Sequence, residues 1–234
     1  MLDNKMLSTR SKKILQAVVT EFIKTGKPIS SKYLYEHYKF GIKPAMIRNE
    51  FLNLDKAGYL KRNYYSSGRV PTDKGYEFFI KCLLEEKNQN CEIDNFLIDL
   101  FKKMVLDDFI KKFSKILGVL GILIDFPEKK FVYKGGLEYL IDDLEWEDKN
   151  EIKFIIRDFE NIEEKLSQIG NFLKEKDFIK FFVGKNPLIR SDVVSVVLGD
   201  YEIKNEYVLL LAVGPKRMNY EKAYKIFKGL KQYT

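Results

Sequence analysis

The stretch IRNEFLNLDKAGYLKRNYYSSGRVPTDKGYEFF, residues 47–79, decides how the first third of the chain folds. Its opening part places Ile47, Phe51 and Leu54 at helical spacing before a glycine. YLKRNYY and RVPT then have the pattern of two short strands around the turn SSG. Thr72 is placed to cap a further helix, DKGYEFFIKCLLEE. The stretch therefore predicts a helix, a β-hairpin and a second helix in succession.

Two more helices precede this stretch. LSTRSKKILQAVVTEFIKTGKPIS begins with Ser8, a good N-cap, and Ser30 can cap the shorter helix SKYLYEHY. The third helix is predicted to start around Lys43, with proline at its first position, and to run to the glycine at position 58. Leu52 falls partly on its outer side, so we expect a neighbouring element to cover it. Two short helices joined by a tight turn and followed by a hairpin are typical of a winged helix-turn-helix domain.

The charge of the chain is divided unevenly along its length. Residues 1–81 hold 16 Lys and Arg against 7 Asp and Glu, a net charge of +9, whereas residues 82–234 hold 25 against 27. A basic small domain joined to a nearly neutral larger one is typical of proteins that contact a phosphate backbone. Charge alone favours this interpretation no more than a solvated lysine-rich surface.

The candidate DNA-binding residues follow from this domain. Arg48 and Asn49 are predicted to contact base edges, because Arg suits guanine and Asn suits adenine, and Ala45 to meet a thymine methyl group. Gly68 is expected to let the hairpin turn tightly, with Arg69 at its tip within reach of a phosphate or the minor groove. One module gives a small interface, so we expect a homodimer on an inverted repeat of double-stranded DNA. Phosphate contacts are predicted for Arg10, Lys32, Lys43, Arg62, Ser66, Ser67 and Arg69.

The rest of the chain predicts an α+β domain. Residues 93–117 have a helical pattern with Phe96, Leu97, Leu100 and Met104 on one face, a candidate dimer seam. VLGILIDF, FIKFFVG, VVSVVLGDY and YVLLLAVG are predicted strands, with helices over 136–145, 149–157, 159–175 and 219–231. We therefore expect a winged-helix domain over 1–74, a helical connector over 75–117 and an antiparallel sheet with flanking helices over 118–234.

The sequence offers little for catalysis or metal binding. The only histidine is His37, in the basic domain, so no His-based triad or His-rich metal site can be assembled. The separation of Cys82 and Cys91 fits neither a redox pair nor a zinc knuckle. GPKRMNY, residues 214–220, is predicted to be a tight turn with Asn219 as N-cap. We predict no enzyme activity, no cofactor, no metal, no membrane span and a cytoplasmic, nucleoid-associated location.

Several segments resemble one family. The winged-helix module of the HrcA family, whose members are bacterial heat-inducible transcription repressors, is similar to IRNEFLNLDKAGYL and GRVPTDKGY. The family's C-terminal GPxRMxY segment is similar to LLLAVGPKRMNYEKAYKIF. The resemblance implies a repressor that binds an inverted-repeat operator of chaperone operons, is released on heat shock and has the GroEL chaperonin as modulator. It also implies that 118–234 is a reduced GAF-like domain, because ILGVLGILIDFPEKK is followed almost directly by VYKGGLEYL, without the family's inserted dimerisation segment.

Two alternative functions are consistent with the same residues. The first is a winged-helix regulator controlled by a small-molecule ligand, against which the shortened middle argues because it leaves little room for a pocket. The second is a protein-interaction scaffold that has lost DNA binding, against which the strongly basic first domain argues.

Overall fold

The computed structural model describes residues 7–62, 68–85, 94–125, 128, 130–143, 149–168 and 179–233. The chain divides into two compact units, Met1–Glu86 and Lys87–Thr234.

The first unit has the predicted order of elements. Its helices and strands are α1 (Thr9–Thr25), α2 (Ser31–His37), α3 (Pro44–Lys56), β1 (Leu60–Arg62), β2 (Arg69–Pro71) and α4 (Asp73–Glu85). The predicted caps are confirmed, because Ser8 accepts from the Ser11 amide and Ser30 from the Tyr33 amide. β1 and β2 pair antiparallel, with Leu60 opposite Pro71.

One apolar core holds this unit together. It combines the buried face of α1 with one to three residues from each of the other helices and from the hairpin: Ile14, Leu15, Val18, Val19, Leu34, Ile47, Phe51, Leu54, Leu60, Tyr76, Phe79 and Ile80. The loop before α2 joins the hairpin edge, since Ile29 and Arg69 exchange two backbone hydrogen bonds of 2.9 Å. The inward stripe predicted for α3 is confirmed.

The second unit is a five-stranded antiparallel sheet with helices on both faces, which confirms the predicted α+β class. In order along the sheet the strands are β4, β3, β7, β6 and β5. Its elements are α5 (Asn95–Lys103), α6 (Leu106–Leu117), β3 (Leu120–Asp125), β4 (Val132–Gly135), α7 (Leu137–Asp143), α8 (Lys149–Glu160), α9 (Ile162–Gln168), β5 (Ile179–Val183), β6 (Val194–Ile203), β7 (Glu206–Pro215) and α10 (Tyr220–Leu230).

The two faces of the sheet pack against different helices. One face, with Ile122 of β3 and Leu211 of β7, shares a core with Leu140, Ile155 and the apolar side chains of α9. The opposite face meets α5 through the ring pair Phe101–Tyr201, and α6 and α10 pack on each other through Phe113 and Phe227.

Two details of this unit differ from the prediction. The edge strand β4 was not predicted, because VYKG is short and its side chains are only partly buried. The helical stretch breaks at Met104, which adopts a left-handed φ of 61° and ends α5. Of the residues predicted to form a dimer seam, Leu97 and Leu100 are buried within the unit and Phe96 is 58% exposed.

Candidate nucleic-acid interface

The outer side of α3 is the exposed surface that carries the predicted base-contacting residues. Its exposed residues are Ala45, Met46, Arg48, Asn49, Leu52, Asn53 and Lys56, which we call the α3 outer face. Ala45, Asn49, Leu52 and Lys56 are spaced four, three and four residues apart, so they lie in one line along the helix. Residues predicted to contact bases are thus presented together, with Arg48 beside the line.

Both acidic residues of α3 are held by other elements of the first unit. Glu50 accepts a 2.8 Å hydrogen bond from the hydroxyl of buried Ser11 in α1. Asp55 is bound by the guanidinium of Arg69 in β2. No ion pair among the described residues involves Arg48 or Lys56, so the α3 outer face presents two cations and two amides with no carboxylate.

Arg69 does not occupy the predicted place at the tip of the hairpin. Its side chain is only 10% exposed, and its Nε lies 2.7 and 2.9 Å from the two carboxylate oxygens of Asp55. The guanidinium carbon also lies 5.8 Å from the ring centroid of Phe51. The structure therefore contradicts the predicted exposed position of Arg69. A contact between its guanidinium and a phosphate would require the pair with Asp55 to open.

Gly68 packs closely against the loop before α2, whereas the turn that it is predicted to permit lies outside the described residues. A Cβ added to Gly68 would lie 2.7 Å from the Cβ of Pro28 and 2.9 Å from the Pro28 carbonyl oxygen. Gly75 is similar, because an added Cβ would overlap the carbonyl oxygen of Tyr59. Both glycines permit close packing against neighbouring backbone.

Residues 68–76, GRVPTDKGY, form what we call the closing segment, because they fasten the end of α3 and β1 to α4. The Thr72 hydroxyl donates to the Gly58 carbonyl at 2.7 Å and accepts from the Gly75 amide at 3.2 Å. Lys74 donates to the carbonyl of Ala57 at 2.8 Å. These contacts confirm Thr72 as a helix cap and show that the most family-like part of the hairpin serves packing.

The other predicted phosphate contacts are exposed where the structure describes them. Arg10, Lys32, Lys43 and Arg62 all lie at the surface, and Lys32 is 3.9 Å from Glu36 in an exposed pair. Arg10 sits at the start of α1, next to the serine that bonds Glu50, and so lies beside α3. The serines at positions 66 and 67, together with Cys91, lie outside the described residues.

Leu52 has no cover among the described residues. The prediction that a neighbouring element shields it is wrong, because the side chain is 50% exposed in the line between Asn49 and Lys56. Met46, at 47% exposure, is a second apolar member of the outer face. Neither was predicted as a binding residue, although a helical wheel places both outside the buried stripe.

The buried carboxylate of Glu21 joins α1 to α2, a role that was not predicted from the sequence. Glu21 accepts hydrogen bonds of 2.7 Å from both Tyr33 and Tyr38 and one of 2.9 Å from Lys24. Burial raises the pKa of Glu21, but these three hydrogen bonds outweigh burial and lower the pKa to about 2. The cluster therefore stays charged at neutral pH and fixes α2 on the helix that supports α3.

The polar groups of the second unit are engaged in structural contacts. Fully buried Asp158 is bound by Arg190 at 2.8 Å and by Lys165 at 2.6 Å. Burial raises the pKa of Asp158, but the bonds with Arg190 and Lys165 outweigh burial, so the pKa is lowered overall. Asn219 caps α10, as predicted.

In the described part of the chain, no group of three or more His, Cys, Asp or Glu is placed to hold a metal. Every described helix is too short or too polar to span a membrane.

The comparisons with known proteins match this chain to one family. The model of the HrcA protein C terminal domain matches residues 80–223. Curated proteins named heat-inducible transcription repressor HrcA are similar: those of Symbiobacterium thermophilum (31% identity over 55% of this chain), Alkaliphilus metalliredigens (39% over 49%) and Clostridium botulinum (35% over 57%). The matched stretches cover 40%, 34% and 40% of those proteins.

A solved structure shares the fold over nearly the whole chain. It is the crystal structure of a hypothetical protein, with a TM-score of 0.76 and 17% identity, and the match covers 97% of this chain and 98% of that one. With the family model matching more than half of its residues, the chain belongs to the HrcA family.

Proposed function

We propose that this chain is a sequence-specific DNA-binding transcriptional repressor that inserts α3 into the major groove. The observation that carries the proposal is the α3 outer face, where two cations and two amides are exposed while Glu50 and Asp55 are bound inside the unit. A helix of this kind meets the polyanionic backbone without carboxylate repulsion. It also offers the side chains that best recognise base edges.

Individual roles follow from side-chain chemistry. Arg48 suits the two acceptors of guanine, Asn49 suits the acceptor and donor of adenine, and Ala45 is small enough to approach a thymine methyl group. The exposed cations around the helix would fix its register on the phosphates without reading sequence. These are Arg10, Lys32, Lys43 and Arg62. From the sequence, Ser66 and Ser67 stay proposed phosphate contacts as well.

The biological setting is proposed from the family. Relatives that are 31 to 39% identical are named heat-inducible transcription repressors. We infer a homodimer on an inverted repeat upstream of chaperone operons, because one helix reads too few bases for a selective site. Heat would deplete the folded, DNA-competent form, and the GroEL chaperonin would modulate its recovery. Such a protein would work in the cytoplasm, on the nucleoid.

Fluorescence anisotropy with the full chain tests the proposal. The labelled duplexes are an inverted repeat from upstream of a chaperone operon and a scrambled version of equal composition, each titrated at two salt concentrations. We expect tighter binding to the repeat, two protomers per duplex, and affinity that falls steeply with salt. Equal, weak binding to both duplexes would contradict the proposal.

Arg48→Ala tests which helix reads the bases. Loss of a bidentate guanine contact should cost about 1 to 3 kcal/mol and relax the preference at one base position. The matched control is Lys153→Ala, which removes an exposed cation from α8 of the second unit. If Arg48→Ala weakens binding to the repeat and the scrambled duplex equally, Arg48 contacts a phosphate instead.

A further inference from the structure

Leu52 is an apolar side chain in the middle of a polar binding surface. It is half exposed, with Asn49 one turn before it and Lys56 one turn after it on the same line of α3. Single exposed leucines are ordinary on protein surfaces. This one differs because its neighbours along the helix are the groups proposed to face DNA, so whatever binds them must also meet Leu52.

The major groove contains one apolar group that such a side chain can bury. Each thymine presents its C5-methyl there, while the other base edges present hydrogen-bond donors and acceptors. Leu52 follows Asn49 by three residues, a rise of about 4.5 Å along the helix axis. Base pairs stack about 3.4 Å apart. Leu52 is therefore placed to reach a base one or two steps from the base that Asn49 reads.

We propose that Leu52 determines specificity by packing on the C5-methyl group of a thymine one or two base steps from the adenine read by Asn49. This inference rests on the proposed DNA-binding function and adds a base preference to it. Charge favours DNA over a protein partner as the occupant, because no carboxylate is exposed on this face to balance Arg48 and Lys56.

The experiment removes one methyl group at a time. The full chain first selects its preferred duplex from a randomised library, and each thymine of that duplex is then replaced by deoxyuridine, which lacks only the C5-methyl. For the wild-type protein we expect one replacement to weaken binding about fourfold, the worth of one buried methyl group. In Leu52→Ala, the same replacement should change the Kd less than twofold.

Two further variants keep the result interpretable. Leu84→Ala makes the same change at a leucine of α4 that is 45% exposed, and it should keep the wild-type methyl effect. Leu52→Met keeps an apolar side chain of similar reach and should retain most of it. Alanine is the best helix former, so Leu52→Ala is expected to fold, which a thermal melt checks.

The outcomes separate this inference from the proposed function. Selective binding that is insensitive to every deoxyuridine, or equally sensitive in Leu52→Ala, overturns the role of Leu52 and leaves DNA recognition intact. It would also direct attention to a protein as the partner of Leu52. If the library yields no enriched sequence, the proposed function itself fails, and the Leu52 inference fails with it.

Discussion

The α3 outer face and the closing segment contain similar residues but use them in opposite ways. Each has an arginine within a stretch that resembles a DNA-binding module, Arg48 in α3 and Arg69 in the closing segment. Arg48 is exposed, whereas Arg69 is bound to Asp55 beneath the surface. Similarity to a family therefore identifies both residues without saying which one meets DNA and which one stabilises the protein.

The closing segment helps to explain why the α3 outer face presents no carboxylate. Arg69 draws the carboxylate of Asp55 inward, as Ser11 does for Glu50 at the other end of the helix. Thr72 and Lys74 bind carbonyl groups just after the end of α3. The segment thus removes negative charge from the outer face and fixes the end of the helix that presents it.

The largest expected effect comes from breaking the Arg69–Asp55 pair. Arg69→Ala should lower the free energy of unfolding of the first unit by about 3 kcal/mol, the low end for a broken buried pair, because Asp55 keeps some access to water. Amide hydrogen exchange of α3 measures this loss. Unchanged protection, combined with weaker and less salt-dependent DNA binding, would show that Arg69 contacts phosphate after all.

Gly75→Ala tests the close packing of the closing segment by the sign of its effect. Alanine in place of a helical glycine normally stabilises a helix by up to about 1 kcal/mol. Here the new Cβ would overlap the Tyr59 carbonyl oxygen, so we expect a loss of about 1 to 3 kcal/mol. Urea unfolding of the full chain measures it. Stabilisation by this substitution would mean that α4 does not pack closely on the Tyr59 carbonyl.

Glu21→Gln tests the carboxylate that supports α2. Charged hydrogen bonds are worth about 1.5 to 3 kcal/mol, so the glutamine variant should be less stable by about 1.5 kcal/mol at neutral pH. The pKa of Glu21 is lowered from 4.5 to about 2 in the folded protein, so its stabilisation is complete above about pH 4.5 and is lost as the pH falls toward 2.

The difference in stability between wild type and Glu21→Gln should therefore shrink as the pH falls from 4.5 toward 2, where the wild-type carboxyl also becomes neutral. Urea unfolding at several pH values measures it. A difference that stays constant over this range would show that the carboxylate charge contributes nothing to the link between α1 and α2.

Local patterns allowed most of the fold to be predicted. Caps at Ser8 and Ser30, the apolar stripe of α3 and the long alternating strands were correct because each depends on residues close in sequence. The edge strand β4 was missed because four residues carry too little pattern. The break at Met104 was missed because a left-handed residue other than glycine has no clear sequence signal.

The site was harder to predict because exposure depends on distant residues. Arg69 pairs with Asp55, fourteen positions earlier in the chain, and Gly68 meets Pro28. Periodicity could place Asn49 and Leu52 on the outside of α3, but it could not show that nothing described covers Leu52. Pairings between elements decide which arginine remains available to a ligand.

The smallest effect on stability is expected for Arg62→Ala, the exposed counterpart of Arg69→Ala. Arg62 lies opposite Arg69 in the hairpin ladder, but its side chain is exposed. Its removal should change stability by less than about 0.5 kcal/mol. It should weaken DNA binding similarly for all sequences. The slope of log K against log salt concentration should become less steep by about one.

Anisotropy titrations of Arg62→Ala and Arg69→Ala over a range of salt concentrations, at a temperature where both are folded, provide the test. The two variants remove the same charge from facing positions of one ladder. If only Arg62→Ala flattens the salt dependence, exposure rather than charge determines which arginine contacts phosphate. Equal flattening by both would mean that the Arg69–Asp55 pair opens on DNA, since a guanidinium held by a carboxylate releases no counterion from the duplex.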